Sequence, residues 1–168
     1  MERVELKFCY TLEEHVKAYR KYILKSKKST KLNVVIVCVY FIFSLIYFFL
    51  SNFDTFSVMC LVVATLAVIV CLVIYFYVPV RIFKQTKKFL EEYDLTFSDE
   101  GIIFKTNDIN SELNWELYEK VLESREFYYM LYGTTYTLLP KRVFKDSKSQ
   151  ELYRDLVTEN LGPIEKLS

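Results

Sequence analysis

A long stretch almost without charge constrains this chain most. Between Lys31 and Arg81 the only charged side chain is Asp54. Two apolar runs, residues 34–50 and 56–80, flank that aspartate, and each approaches or exceeds the roughly 20 helical residues needed to cross a hydrocarbon core. The short segment between the runs can only reverse the chain. The sequence therefore predicts a transmembrane helical hairpin, with everything else attached to its two ends.

Basic residues gather at both ends of this hairpin, while the turn carries none. Because Lys and Arg are enriched on the cytoplasmic side of membrane spans, we expect a multi-pass protein of the plasma membrane with both termini in the cytoplasm. The first apolar run begins too late for a secretory signal peptide, so we expect no cleaved leader. The basic candidates for contact with lipid or a partner are Lys27, Lys28, Lys31, Arg81 and Lys84.

Small residues lie along one face of the predicted second span. Cys60, Ala64, Ala67 and Cys71 follow one another at helical spacing, and small side chains allow helices to approach closely in lipid. We expect this face to pack on the first span or on a second copy of the protein. Neither span contains an ionisable residue at membrane depth, which argues against a transport pathway.

The remaining segments divide by their periodicity. Residues 1–31 predict a short strand followed by an amphipathic helix, opened by the capping-box spacing Thr11-Leu12-Glu13-Glu14. The hairpin occupies 32–80, and a helical stalk follows over 81–92. His15 is the only histidine, and we expect it on the surface of the first helix.

Residues 93–168 have the alternating pattern of strands. We predict an antiparallel meander of about six strands, with a loop over 106–111 and a strand at Leu113–Trp115, and then a helix opened by the spacing Ser147 to Gln150. The fold class is thus a membrane helical hairpin plus an α+β domain, built as an antiparallel sheet or partly open barrel. Trp115 is interpreted as a core anchor, with ligand stacking as the alternative.

Little in the sequence favours catalysis. A lone histidine, no glycine-rich phosphate loop and no Cys/His cluster remove the common kinds of site, so we expect no enzyme activity, metal or cofactor. The four cysteines are interpreted as reduced thiols. Residues 81–168 hold more acids than bases, which disfavours a nucleic-acid partner.

Several motifs together resemble a known family. They are Phe-Ser-Asp-Glu-Gly-Ile at 97–102, Trp115, Phe-Tyr-Tyr-Met-Leu-Tyr at 127–132 and Leu-Leu-Pro-Lys-Arg-Val-Phe at 138–144. This pattern, placed after a two-span hairpin, resembles the YcxB-like family of small bacterial membrane proteins. The resemblance implies a pleckstrin-homology-like (PH-like) sheet closed by the C-terminal helix and no established enzyme activity. It also implies a loose link to immunity proteins made beside toxins or bacteriocins.

Two functions remain open at this point. In the first, a PH-like domain at the inner leaflet binds a protein or lipid and protects the cell against a toxin. In the second, the chain is an accessory or regulatory subunit of a transporter or signalling complex. The expected partners are membrane lipids, a protein and a second copy of the chain. Lys141 and Arg142 are either solvated charges or contacts with the anionic leaflet.

Overall fold

The N-terminal residues form a strand and a helix, as the sequence predicts. The computed structural model describes residues 3–26, 28–107 and 109–167. Strand β1 (Val4–Phe8) alternates buried and exposed side chains, and helix α1 (Leu12–Ser26) follows it. At the start of α1, the Thr11 hydroxyl accepts a hydrogen bond from the Glu14 N–H and the Glu14 carboxylate accepts one from the Thr11 N–H. This capping box satisfies donors that a helix start leaves unpaired.

Residues Tyr19–Gln85 form one of two compact units. Helix α2 (Lys28–Leu50) contacts helix α3 (Thr55–Leu72), which continues through a π-helical turn (Val73–Tyr77) into helix α4 (Val78–Gln85). Within its described residues, the chain thus has two helices that are long and apolar enough to cross a membrane.

The predicted chain reversal between α2 and α3 is confirmed. Asn52 and Phe53 have φ angles of 51° and 65°, the left-handed conformation that lets the chain turn sharply. Asp54 then caps α3, because its carboxylate accepts a hydrogen bond of 2.9 Å from the Ser57 N–H. The turn therefore supplies the partner for one of the amides that begin α3.

The second unit combines Met1–Ala18 with Thr86–Ser168. Its described residues form two four-stranded sheets, the first part of α1 and a C-terminal helix. In the first sheet, β1 pairs antiparallel with β2 (Tyr93–Ser98), which pairs with β3 (Gly101–Lys105), which pairs with β4 (Asn110–Leu113). The N-terminal strand is therefore an edge of a sheet whose other strands come after the two long helices.

The second sheet has the order β7-β6-β5-β8. β5 (Lys120–Glu123), β6 (Phe127–Tyr132) and β7 (Thr135–Pro140) pair antiparallel, whereas β8 (Glu165–Lys166) runs parallel to β5. Helix α5 (Ser147–Leu161) lies between β7 and β8 in the chain. The predicted α+β class is confirmed. The strands form two four-stranded sheets that are not closed into a barrel, where the sequence predicted a single antiparallel sheet or partly open barrel.

Three local predictions are also wrong. β4 begins at Asn110, inside the stretch expected to be a loop. Trp115 begins a 3₁₀ turn, not a strand; it is buried, and its indole N–H donates a hydrogen bond of 2.9 Å to the Ser98 carbonyl. Asp146 and Ser149 form the capping box of α5, one residue earlier than the predicted pair.

Tyr153 of α5 lies at the centre of the second unit's core. Its side chain is fully buried. Its ring centroid is 5.0 Å from that of Phe97 on β2, 5.2 Å from that of Tyr128 on β6 and 5.3 Å from that of Phe144. One aromatic side chain thus joins the helix to both sheets, and such ring pairs stabilise a core beyond the area they bury.

Candidate functional site

Arg142, a predicted contact with lipid or a partner, binds the start of α1. Its Nη2 donates hydrogen bonds of 2.8 Å to the Glu14 carboxylate and 3.0 Å to the Cys9 carbonyl, and its Nε donates to the other Glu14 oxygen. This two-point contact with a carboxylate is the geometry to which a guanidinium is best suited. The hydrogen bonds from Arg142 lower the pKa of Glu14 below its ordinary value.

Lys141 has a different partner. Its Nζ donates to Oε1 of Glu123 on β5, and the same oxygen accepts a hydrogen bond of 2.8 Å from Arg154 of α5. Burial by itself raises the pKa of Glu123, but the hydrogen bonds from Lys141 and Arg154 outweigh burial and leave that pKa below its ordinary value. Two cations around one carboxylate leave this group with an excess positive charge.

Tyr128 completes this group, which we call the Glu123 cluster: Glu123, Tyr128, Lys141, Gln150 and Arg154. The Tyr128 hydroxyl accepts hydrogen bonds of 2.8 Å from Gln150 and 3.3 Å from Arg154, and the Lys141 ammonium lies 4.8 Å from the Tyr128 ring centroid. The Arg154 side chain is 42% exposed. The cluster therefore presents a fixed cation at the surface of the second unit.

His15 is not on the surface, contrary to the prediction. Only 6% of its surface is exposed, and its ring centroid is 4.5 Å from that of Phe89. Burial lowers the pKa of His15, because the charged imidazolium loses its hydration. Among residues 3–26, 28–107 and 109–167, no three His, Cys, Asp or Glu side chains come together to hold a metal ion.

Three of the five predicted basic contacts of the hairpin have described side chains. Lys31, Arg81 and Lys84 are exposed, and the Arg81 guanidinium lies 5.9 Å from the Tyr77 ring centroid. Lys27 and the side chain of Lys28 lie outside the described part of the chain. The role of these bases in binding lipid or a partner stays a prediction.

The small residues of α3 differ in burial. Ala64 has no exposed surface, whereas Cys60, Ala67 and Cys71 are half-buried. The helices α2 and α3 contact each other. Whether this face also packs on a second copy of the chain stays a prediction.

The second long helix is irregular just before Pro79. Proline has no N–H, so Pro79 cannot donate the helical hydrogen bond to the Tyr75 carbonyl four residues earlier. At this point the helix widens into the π-helical turn, and Arg20 of α1 donates a hydrogen bond of 3.2 Å from Nε to that carbonyl. The Arg20 guanidinium also lies 4.8 Å from the Tyr75 ring centroid and 5.0 Å from that of Phe76. Arg20 thus replaces the donor that proline removes, a role that the sequence did not reveal.

We predict that the effect of Arg20→Ala depends on Pro79. In the native chain the substitution should lower stability by about 1–3 kcal/mol, because it removes a donor from a carbonyl in apolar surroundings. In the Pro79→Ala background, residue 79 regains an N–H, and the loss should be much smaller. Thermal unfolding of the four chains in detergent, followed by circular dichroism, measures the difference.

Lys21→Ala is the matched control for this cycle, because it removes a neighbouring base without touching Tyr75. If Arg20→Ala lowers stability equally with Pro79 and with Ala at position 79, the Arg20 side chain does not replace the missing donor to the Tyr75 carbonyl.

We also predict a specific pH dependence for the ion pair of Glu14 and Arg142. Because the pKa of Glu14 is lowered in the folded state, the pair stabilises the fold above the ordinary carboxyl pKa of about 4.5, and this contribution is lost as the pH falls through the lowered value. The difference in unfolding temperature between the native chain and Glu14→Gln should therefore be greatest near neutral pH and shrink in acid.

Thermal unfolding at a series of pH values tests this expectation. Glu13→Gln serves as the control, since it alters the adjacent glutamate and leaves the contact with Arg142 intact. A difference between native and Glu14→Gln chains that stays constant or grows toward acid contradicts the prediction.

Comparison with known proteins bears on part of the chain. No curated protein and no solved structure matches it. The family model described as YcxB-like protein matches residues 97–157, which run from the end of β2 into α5 and contain the motifs at 97–102, 127–132 and 138–144. The resemblance predicted from those motifs is therefore confirmed: over residues 97–157, the chain matches the YcxB-like family.

Proposed function

We propose that this chain is a non-enzymatic integral membrane protein. Its hairpin holds the α+β domain at the cytoplasmic face of a bacterial plasma membrane, where the domain binds a protein partner. One observation carries the proposal: a strand that precedes the two apolar helices pairs with a strand that follows them.

That observation constrains the number of membrane crossings. β1 pairs with β2 along its whole length, from Val4 opposite Phe97 to Phe8 opposite Tyr93. Two strands of one sheet lie on the same side of any bilayer, so the chain between them crosses an even number of times. The two helices that satisfy the length requirement are those of the hairpin, and this agreement supports a two-span topology.

The surface of the two helices supports lipid as their surroundings. Large apolar side chains are exposed along both helices; Phe43 of α2 is 69% exposed, and Phe56 of α3 is 59% exposed. Apolar surface of this extent is rarely left in water. The bases at the inner ends of the helices and their absence from the turn favour a cytoplasmic location for both termini.

The architecture of the domain supports a binding role. Two largely antiparallel sheets, joined by a helix through Tyr153, agree with a PH-like plan. The Glu123 cluster offers a fixed, half-exposed cation that is suited to an acidic protein surface. The physiological setting that we propose is protection against a toxin, which follows from the family resemblance.

The topology has a direct test. In a chain whose four native cysteines are replaced by serine, Ser51→Cys should react from outside intact cells with a membrane-impermeant maleimide. Asp99→Cys, in the turn between β2 and β3, should react only after the cells are permeabilised. Labelling of residue 99 in intact cells contradicts the proposed orientation. If residues 51 and 99 both react in intact cells, or neither reacts, the result contradicts the two-span hairpin.

Partner capture tests the binding role. We expect chemical crosslinking in native membranes, followed by mass spectrometry, to recover a defined protein, and we expect Arg154→Ala to reduce its yield. Arg125→Ala, which removes an exposed base outside the Glu123 cluster, is the control. A secreted peptide, together with greater toxin sensitivity on deletion, supports protection. Capture of a transporter or kinase favours the accessory-subunit function, and no change on deletion contradicts protection.

A further inference from the structure

We infer that Arg20 binds the phosphate of an anionic phospholipid at the inner membrane boundary. This inference rests on the proposed membrane hairpin and names a ligand for it. Four observations carry it: the charge of the hairpin unit, the fixed position of Arg20, the unused donors of its guanidinium and its depth.

The hairpin unit has a strongly uneven charge. Residues 19–85 contain eight Lys and Arg side chains and one acid, Asp54. Asp54 lies in the turn, whereas the bases lie at the opposite ends of the helices. Among the side chains that the structure describes, no carboxylate forms an ion pair with Arg20, Lys31, Arg81 or Lys84. The positive charge of these bases is therefore not neutralised by the described carboxylates.

Arg20 is held in place by several contacts. Its Nε is bound to the Tyr75 carbonyl, and its guanidinium lies over the rings of Tyr75 and Phe76. Within the described part of the chain, the Nη atoms of Arg20 have no hydrogen-bond partner. A guanidinium held at Nε with free Nη donors is prepared to bind a phosphate, and holding it in place beforehand reduces the entropy lost on binding.

The depth of this guanidinium matches a phospholipid headgroup. Thr30 on α2 and Tyr75 on the second helix are the same number of residues from the ends of the helices at the turn, Leu50 and Thr55. At about 1.5 Å per helical residue, both lie about 30 Å from the turn, which is the thickness of the hydrocarbon core. Lys31 therefore marks the same boundary on the first helix, and Tyr75 beside Arg20 is of a residue type enriched there.

Native mass spectrometry of the intact chain in detergent tests the inference, with phosphatidylglycerol and phosphatidylcholine as probes. We expect the native chain to retain phosphatidylglycerol in preference to phosphatidylcholine. Arg20→Ala should weaken the retention of phosphatidylglycerol by about tenfold or more, because hydrogen bonds to a charged group are lost. Lys21→Ala removes one adjacent positive charge and should change retention by less than about twofold. Equal losses in these two variants indicate diffuse attraction and overturn the inference.

The double variant Pro79→Ala/Arg20→Ala separates binding from folding. It restores an N–H for the Tyr75 carbonyl but lacks the guanidinium, so it should keep the helical structure and still lose phosphatidylglycerol. Recovery of lipid binding in this variant would show that Arg20 only supports the helix, which overturns the inference. Displacement of phosphatidylglycerol by inorganic phosphate would likewise overturn it, since the site would then take phosphate without lipid.

Failure of the lipid site can be distinguished from failure of the proposed hairpin topology. If Ser51→Cys reacts from outside and Asp99→Cys does not, but Arg20→Ala retains phosphatidylglycerol, the hairpin topology stands and only the lipid site is wrong. If the labelling pattern fails, the depth argument for Arg20 fails with it.

Discussion

Backbone carbonyls and amides are strong hydrogen-bonding groups, and within a helix each normally finds its partner in the same helix. Pro79 breaks this rule at the Tyr75 carbonyl, and the donor that restores it comes from Arg20, a side chain on another helix. The turn obeys the same rule at the opposite end, where Asp54 binds the Ser57 amide. Arg20 and Asp54 thus bind backbone groups at the points where the helical hydrogen bonding is interrupted or begins.

The α+β domain uses its charges differently. Glu14 and Glu123 each hold a base from the residues after β7, so Arg142 binds the start of α1 and Lys141 binds β5 together with Arg154. These bonds join segments that are far apart in the chain. They also pair Lys141 and Arg142 with carboxylates, which leaves Arg154 as the better exposed cation of the Glu123 cluster.

Local patterns were enough to predict much of the fold. The apolar runs predicted α2 and α3, and alternation predicted β1 and the presence of strands after the hairpin. Long-range pairing was not predictable in this way. β8 pairs with β5 across more than forty residues, and the split into two sheets depends on which edges meet. Arg20 was missed for the same reason, since 55 residues separate it from Tyr75 in the chain, and no periodicity indicates a hydrogen bond between them. His15 was misplaced because its burial depends on Phe89.

The insertion of the hairpin between β1 and β2 has a consequence for synthesis. A ribosome releases β1 early, yet its pairing partner β2 emerges only after both apolar helices have been made. The nascent chain therefore carries an unpaired strand while the helices leave the ribosome, and unpaired strand edges promote aggregation. A chain that stops before β2 cannot complete its first sheet. The pairing of β1 with β2 can therefore form only after the whole apolar segment has been translated.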